Sequence, residues 1–454
     1  MELRIRTGWQ LDKKFYCHEA ESMLFYKKVK KTIRRVMGYT RRGRSMAEIR
    51  SINGKRTYLR AVKNTAPSEE DKNKPDYKTK IRRHRQMVFY RILLAVVVIV
   101  AAVIAYVVYA NNKIYSGYSV TSQQEWSDYS GLKIQSYYGH ILTYGKDGMV
   151  CTSTKGKTLW NQSFEMQNPI VAVRGEYVAA GDYNGTMIYL VNEVGTKWTI
   201  DTRMPIRNLD VSEKGTVLAV LDDGTVTWLY LYNKEGDVLL QSPTSMPDYG
   251  YPLSVAISDD SMMLAASYLY ADSGAVTSRI AFYNLNEVGD NYQDNLVSGF
   301  SYHDAVVPML RFMDNETSFA VADNRLMIYS GKQIPSSTKE ILLMEEIQSV
   351  FYGKNYIGLV YLNTESEEKY RMDTYDTAGN LVQQYRFNRE YDDIVFKNDF
   401  VYIYNQSGCD IYNMKGVLKY TGDFEIPVEC LIPGESREKM TLIGKNVILH
   451  ISLK

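Results

Sequence analysis

The longest hydrophobic stretch of the chain runs from Ile92 to Ala110 and contains no charged residue, proline or glycine. As an α-helix, these nineteen residues are about 28 Å long, close to the roughly 30 Å of a bilayer's hydrocarbon core. Arg91 precedes them, and its long side chain can extend to the lipid headgroups while residues 87–91 join the helix. The pattern therefore predicts one transmembrane helix over residues 87–110.

After this helix the pattern changes to short runs of Val, Ile, Tyr and Thr, separated by Gly, Asn and Asp, which is typical of β-strands. Tight-turn signals recur at steps of about 40 residues, and a second turn follows most of them. Each unit then holds four strands, as residues 176–201 illustrate. The tight turns are Asp147-Gly148, Asn184-Gly185, Asp223-Gly224, Ser273-Gly274, Asp323-Asn324, a polar turn near Ser366, Ser407-Gly408 and Gly444-Lys445. The second turns contain Gly156, Gly195, Gly236, Gly289, Gly379 and Gly416.

A four-stranded repeat of about 40 residues is the signature of a β-propeller blade. The turns predict an all-β, eight-bladed propeller over residues 114–454, with seven blades as the alternative. The last unit, residues 428–452, has only three strands, and an open ring would leave a strand edge exposed. We therefore expect residues 114–122 to supply the missing outer strand.

The amino-terminal region, residues 1–62, contains a predicted amphipathic helix over residues 16–37, since Phe25, Val29 and Ile33 recur at helical spacing. Asn53-Gly54 is typical of a hairpin turn, so a small folded unit is the alternative. Residues 63–86 are polar and predict a linker. We expect basic residues of this helix and beside the span to lie on the membrane surface. These are Lys27, Lys28, Lys30, Lys31, Arg34, Arg35, Arg82, Arg83, Arg85 and Arg91.

The charge distribution gives the expected orientation. Residues 1–90 contain 25 Lys and Arg against 9 Asp and Glu, whereas the rest of the chain contains 29 against 43. Lys113 is the only basic residue just after the span. The positive-inside rule then places the amino terminus in the cytoplasm and the carboxy terminus outside a plasma membrane, with the span as an uncleaved signal-anchor.

Two turns carry a family resemblance. Gly156-Lys157-Thr158-Leu159-Trp160 and Gly195-Thr196-Lys197-Trp198 resemble the G-K-x-x-W pattern of quinoprotein-like (PQQ-like) propeller repeats, although Trp198 comes one residue early. Residues 302–306 resemble the turn before a WD40 blade. The resemblance implies that Trp160 and Trp198 pack between neighbouring blades. At the matching place, other units carry Leu240, Gln383 and Tyr420. The whole layout resembles uncharacterised membrane-anchored propellers of Gram-positive bacteria.

Motifs for chemistry are not found in the sequence, so we expect no catalytic, cofactor-binding or metal-binding residues. There is no Cys-Cys pair of the kind that quinoprotein dehydrogenases use, no complete P-loop and no G-x-S-x-G motif. His140, His303 and His450 are interpreted as turn or packing residues. Two alternatives stay open: calcium ligands at Asp182, Asn184, Asp222 and Asp223, and a Cys409–Cys430 disulfide. Turn roles for the former and small buried side chains for the latter are the simpler interpretations.

These features favour a non-catalytic binding module for a protein, a peptide or an envelope polymer. The net negative charge after residue 90 favours a cationic partner on the outer side. Residues 1–62 offer a surface for lipid or a cytoplasmic partner, and nucleic acid is not expected. One alternative is an envelope hydrolase or lyase, which would show converging carboxylates of raised pKa in the propeller channel. The other is a structural subunit of a larger membrane complex.

Overall fold

The computed structural model describes residues 77–454, except 127–130, 245–249, 273 and 365. The predicted helix over 16–37, the Asn53-Gly54 hairpin, the linker as far as residue 76 and the basic residues from Lys27 to Arg35 lie outside the described residues.

Helix α1, Tyr77–Asn112, contains the hydrophobic stretch. Its segment Ile81–Tyr106 is long and apolar enough to cross a membrane, and within the described residues it is the one helix that meets this criterion. The helix begins ten residues before the predicted span, so residues 77–86 of the predicted linker are helical. Pro75 is the last proline before the span, and the Lys, Arg and Gln residues of this segment favour helix. Arg82, Arg83, Arg85 and Arg91 lie on this helix.

The described residues after the helix form eight four-stranded antiparallel sheets, the predicted eight blades. Strand β1 is Tyr118–Glu125. Blade 1 contains β2 Lys133–Tyr137, β3 His140–Tyr144, β4 Gly148–Thr152 and β5 Thr158–Ser163. Blade 2 contains β6 Pro169–Arg174, β7 Tyr177–Asp182, β8 Met187–Asn192 and β9 Lys197–Asp201. Blade 3 contains β10 Ile206–Val211, β11 Val217–Asp222, β12 Thr227–Tyr232 and β13 Val238–Thr244. Blade 4 contains β14 Tyr251–Ile257, β15 Met263–Asp272, β16 Ala275–Asn284 and β17 Leu296–His303.

The second half of the ring repeats this arrangement. Blade 5 contains β18 Met309–Phe312, β19 Thr317–Val321, β20 Arg325–Ser330 and β21 Ser336–Leu342. Blade 6 contains β22 Ser349–Tyr352, β23 Tyr356–Leu362, β24 Tyr370–Asp376 and β25 Leu381–Phe387. Blade 7 contains β26 Asp393–Lys397, β27 Phe400–Asn405, β28 Gly408–Asn413 and β29 Leu418–Asp423. Blade 8 contains β30 Val428–Pro433, β31 Lys439–Gly444 and β32 Val447–Leu453, and β1 completes it. In each blade the first strand is innermost, since it contacts the first strand of at least one neighbouring blade.

Strand β1 closes the ring as predicted. It is the outer strand of blade 8 and pairs antiparallel with β32, from Tyr118 opposite Leu453 to Glu125 opposite Val447. The strand begins at Tyr118 and not at residue 114, because the backbone before Tyr118 forms hydrogen bonds with other segments. The N–H of Tyr115 donates to the carbonyl of Lys419 at 2.8 Å, and the N–H of Ser116 donates to that of Lys454 at 2.8 Å.

The hydrophobic core lies between neighbouring blades. The second strand of a blade is buried on both faces, which explains why β7 (YVAAGD) and β11 (VLAVLD) are almost continuously apolar. Small residues on β7, Ala179 and Ala180, let adjacent sheets approach closely. One buried cluster joins Phe282 of blade 4 to Phe312 and Tyr329 of blade 5.

The propeller has two different faces. We call the face with the turns between first and second strands, and between third and fourth strands, the turn face. The loop face carries the turns between second and third strands and the loops that lead to the next blade. The chain enters the propeller at Tyr118 and ends at Lys454, both at the turn-face end of blade 8. The loop face is therefore free of the ends of the propeller domain.

Candidate functional site

An arginine crosses the central channel at the turn face. Arg174, at the end of β6 in blade 2, donates its Nε–H to the Asp259 carboxylate of blade 4 at 2.5 Å. It also donates to the carbonyl of Phe312 in blade 5 at 2.9 Å. These residues line a cleft of about 220 Å³ to which five consecutive blades contribute. Because Arg174 reaches across the ring, the channel is bridged at this end.

A second charged group, Asp210 with Arg311, lies between blades 3, 4 and 5. Asp210 on β10 accepts a hydrogen bond from the backbone N–H of Ile257 at 3.1 Å. Burial raises the pKa of Asp210, and the positive charges of Arg311 and Arg174 oppose that rise. Arg311 in turn donates to the carbonyl of Leu310 at 2.8 Å. The positive charges of two arginines thus act on the Asp210 carboxylate in this part of the channel.

Within the described residues, no three His, Cys, Asp or Glu side chains come together in a group that could hold a metal ion. The residues of the calcium alternative have other partners. Asp182 accepts from the backbone N–H groups of Gln167 and Asn168 at 3.0 and 2.7 Å. Arg207 donates to Asp222 at 2.9 Å and also contacts the Asn184 side chain. A guanidinium therefore lies where that alternative would place a cation.

Asp393, on the inner strand β26 of blade 7, has a raised pKa, because burial disfavours its charged form and Asp392 adds a negative charge nearby. The Tyr404 hydroxyl donates to its carboxylate at 3.3 Å. A raised folded-state pKa means that this group adds stability as the pH falls through that pKa, and that this stability is lost as the pH rises.

We therefore expect Asp393→Asn to be at least as stable as the parent at about pH 8, since the amide oxygen keeps the acceptor without the charge. The advantage in melting temperature should shrink as the pH falls toward about 4. Thermal melts across this range measure it, with Glu316→Gln on the exposed turn face as control. A constant difference between Asp393→Asn and the parent at every pH would contradict the raised pKa.

The loop face holds a cleft of about 520 Å³ between blades 1 and 2. Tyr144 and Tyr183 contribute aromatic side chains, and Lys133 and Lys146 are exposed beside them. Tyr183 is 40% exposed, and the guanidinium of Arg207 lies 5.3 Å from its ring centroid. Exposed tyrosine between charged side chains is typical of recognition surfaces, so this cleft is the candidate contact region of the loop face.

The two tryptophans of the predicted motif lie on outer strands. Trp160 on β5 is buried among residues of blades 1 and 2. It lies against the turn of blade 2, where a Cβ on Gly195 would lie 2.9 Å from the Cβ of Trp160. Trp198 on β9 is half-buried, with the ammonium of Lys234 in blade 3 at 5.6 Å from its ring. Gln383 on the outer strand of blade 6 contacts the Gly416 turn of blade 7, just as Trp160 of blade 1 contacts the Gly195 turn of blade 2. The repeated glycine thus lets the preceding blade approach closely.

The histidines and cysteines are not brought together. His450 contacts the carbonyl of Thr154 at 2.8 Å, and His140 lies 3.7 Å from a carboxylate oxygen of Glu193. Cys151, Cys409 and Cys430 are buried free thiols, so the Cys409–Cys430 disulfide alternative is not formed.

Burial raises the pKa of Cys151 and Cys430 to about 12 and raises that of Cys409 as well. We expect these three thiols to be inert to maleimide in the folded protein and to react after unfolding, because the thiolate is the reactive form. Mass spectrometry before and after denaturant counts the labelled sites. Rapid native labelling of any of the three would contradict their burial.

Two features were missed in the sequence. The side chain three residues before most turn glycines accepts a hydrogen bond from the N–H four residues after itself, at 2.8–3.2 Å. These residues are Ser153, Asn192, Asn233, Asp376 and Asn413. Aligning the repeats would have revealed this polar-x-x-Gly pattern. The channel ion pairs were also missed, although one charged residue ends or follows the inner strand in several successive units.

The model of a family of unknown function, DUF5711, matches residues 111–453. Among curated proteins, none matches the sequence. Several solved structures are similar to this chain. BamB from Moraxella catarrhalis has 10% identity and a TM-score of 0.42, over 74% of this chain and 100% of its own. Sqt1 from Chaetomium thermophilum has 11% identity and a TM-score of 0.48, over 74% and 100%. Sqt1 bound to the N-terminus of the ribosomal protein L10 has 11% and 0.46, over 75% and 99%. These similarities concern the fold alone.

Proposed function

The chain belongs to DUF5711, a family of unknown function, and we propose that it is a single-pass, membrane-anchored binding module of the cell envelope. The apolar helix holds the propeller outside the plasma membrane, and the basic amino-terminal region stays in the cytoplasm. There its basic residues, from Lys27 to Arg35, contact anionic lipid. The propeller binds a protein, a peptide or an envelope polymer and catalyses no reaction.

The observation that carries this proposal is the difference between the two faces of the propeller. The domain's ends meet at the turn face, and Arg174 bridges the channel there. The described part of the loop face carries neither end of the domain and presents the Tyr144–Tyr183 cleft. Eight rigid blades support these loops, which suits recognition by a preorganised surface.

Photo-crosslinking in native membranes tests the proposal. A benzophenone amino acid replaces either Tyr183 on the loop face or Tyr292 on the turn face, residues that are 40% and 42% exposed. We expect the Tyr183 position to yield a discrete adduct with a protein or polymer and the matched Tyr292 position to yield none. Turnover of an envelope polymer by the purified chain, with no adduct from the loop face, would favour the enzyme alternative instead.

A structural subunit of a larger complex is the second candidate, and the exposed apolar side chains Leu342 and Met344 favour it. The two candidates differ in the lifetime of the contact. A structural subunit co-purifies with its partner in fixed stoichiometry, whereas a binding module exchanges partners during purification.

A further inference from the structure

A methionine on the loop face is almost completely exposed. Met344, in the loop between β21 and β22, is 94% exposed, and Leu342 just before it is 66% exposed. Leu362, at the end of β23 in blade 6, is 48% exposed. We call Leu342, Met344 and Leu362 the apolar patch. Single exposed apolar residues are common, but these three lie at or just after the loop-face ends of β21 and β23, in neighbouring blades.

The loop that carries Met344 is held firmly at both ends. The N–H of Leu343 donates to the carbonyl of Asn324 in blade 5 at 2.9 Å, and the N–H of Gln348 donates to that of Val360 in blade 6 at 2.8 Å. Alternate residues Ile341, Leu343 and Ile347 pack against the core between these blades. Inward-facing and outward-facing side chains alternate from Ile341 to Met344, and Met344 therefore points outward.

Carboxylates surround the apolar patch. Glu345 is bound to Arg371 at 2.8 Å, and Arg371 lies opposite Tyr361, the neighbour of Leu362. Glu390 accepts from the hydroxyl of Tyr370 at 2.6 Å on the same end of blade 6. The carboxylates of this region are Glu345, Glu346, Glu367, Glu368 and Glu390. The basic residues nearby are paired with carboxylates. Lys369 is paired with Glu390, and Arg371 with Asp373 and Glu345. Arg325, the strand partner of Leu342, is paired with Glu340. Glu346 and Glu367 are exposed beside these pairs, so carboxylates outnumber basic residues around the patch.

From this juxtaposition we propose that the apolar patch docks a cationic segment of a partner protein, in which Lys or Arg residues flank an apolar side chain. The inference rests on the proposed binding function and specifies its partner. The apolar side chain packs against Met344, whose unbranched thioether adapts to different shapes, and the flanking cations face the glutamates. An anionic partner would meet uncompensated repulsion at the same place.

Peptide binding to the full-length protein in a nonionic detergent tests this. The probe is a fluorescent octapeptide with Lys residues around two Leu, compared with a peptide in which Glu replaces each Lys. We expect the Lys peptide to bind and the Glu peptide not to bind. Removing the apolar anchors with Leu342→Ser and Met344→Ser should weaken binding about tenfold, as should Glu346→Lys with Glu367→Lys.

Matched variants on the turn face serve as controls. Val194→Ser removes an apolar side chain that is 78% exposed, and Glu316→Lys reverses an exposed charge. Both should bind the Lys peptide like the parent. Equal binding by the patch variants and the parent would overturn the proposal. So would an equal loss in the control variants.

The two proposals fail in different ways. Adducts from Tyr183, with no effect of the patch variants on peptide binding, would refute the cationic docking site and leave the binding function standing. The absence of adducts from every loop-face position would refute the binding function itself.

Discussion

Replacing residues 118–125 with a Gly/Ser linker of equal length is expected to abolish cooperative unfolding of the propeller. This change removes β1, whose pairing with β32 joins the first and last blades. The lost ladder bonds contribute about 1 kcal/mol each, so their sum is comparable with the whole stability of a typical domain, roughly 5–15 kcal/mol. The exposed edge of β32 would also promote aggregation. Tryptophan fluorescence during thermal unfolding and size-exclusion chromatography provide the measurement.

The control restores the strand at the other end of the chain. A copy of residues 118–125 is appended after Lys454 through an Asn-Gly turn, which can form a hairpin with β32. Because Tyr118 and Leu453 are register partners, the short turn spans the gap. Recovery of a cooperative transition is expected. If the linker variant unfolds like the parent without the copy, the ring does not depend on this closure.

Arg371→Leu is expected to destabilise the propeller by about 3–5 kcal/mol, because it leaves a buried carboxylate without its cation. Arg371 and Asp373 are each only 7% exposed, and Arg371 Nε lies 3.2 Å from Asp373 Oδ1. The guanidinium also lies 4.9 Å from the ring centroid of Tyr361. Urea unfolding of the purified protein gives the change in the free energy of unfolding.

Two further variants separate the buried charge from loss of the side chain itself. The double variant Arg371→Leu with Asp373→Leu should recover most of the lost stability, since neither charge is then buried alone. Arg325→Leu breaks a pair with the more exposed Glu340 and should cost about 1 kcal/mol or less. A double variant as unstable as the single one would show that the loss comes from packing and not from charge.

The sequence predicted the ring because its signals are local and repeated. Turns such as Asn184-Gly185 and Asp223-Gly224 lie where the structure has the turns of blades 2 and 3. The strand after the helix was also identified, since the last unit had only three strands and needed a partner. Its start was wrong by four residues, because the bonds from residues 115 and 116 to Lys419 and Lys454 leave no mark in the local pattern.

The ion pairs of the channel could not be predicted in the same way. Arg174 and Asp259 are 85 residues apart, and only the curvature of the ring brings them together. The sequence alone does not distinguish whether a charged residue near an inner strand faces the channel, a blade junction or solvent. The exposed Met344 was missed for a related reason: a run such as Ile341-Leu342-Leu343-Met344 does not reveal which members face outward.

Sidedness is the claim on which the proposed function depends, and cysteine labelling in intact cells tests it most directly. Val194→Cys places a thiol at an exposed position of the propeller, while Cys17 marks the amino-terminal region and the three buried thiols stay silent. A membrane-impermeant maleimide is predicted to label Val194→Cys in intact cells and Cys17 only after permeabilisation. Labelling of Cys17 in intact cells, with Val194→Cys protected until permeabilisation, would contradict the account.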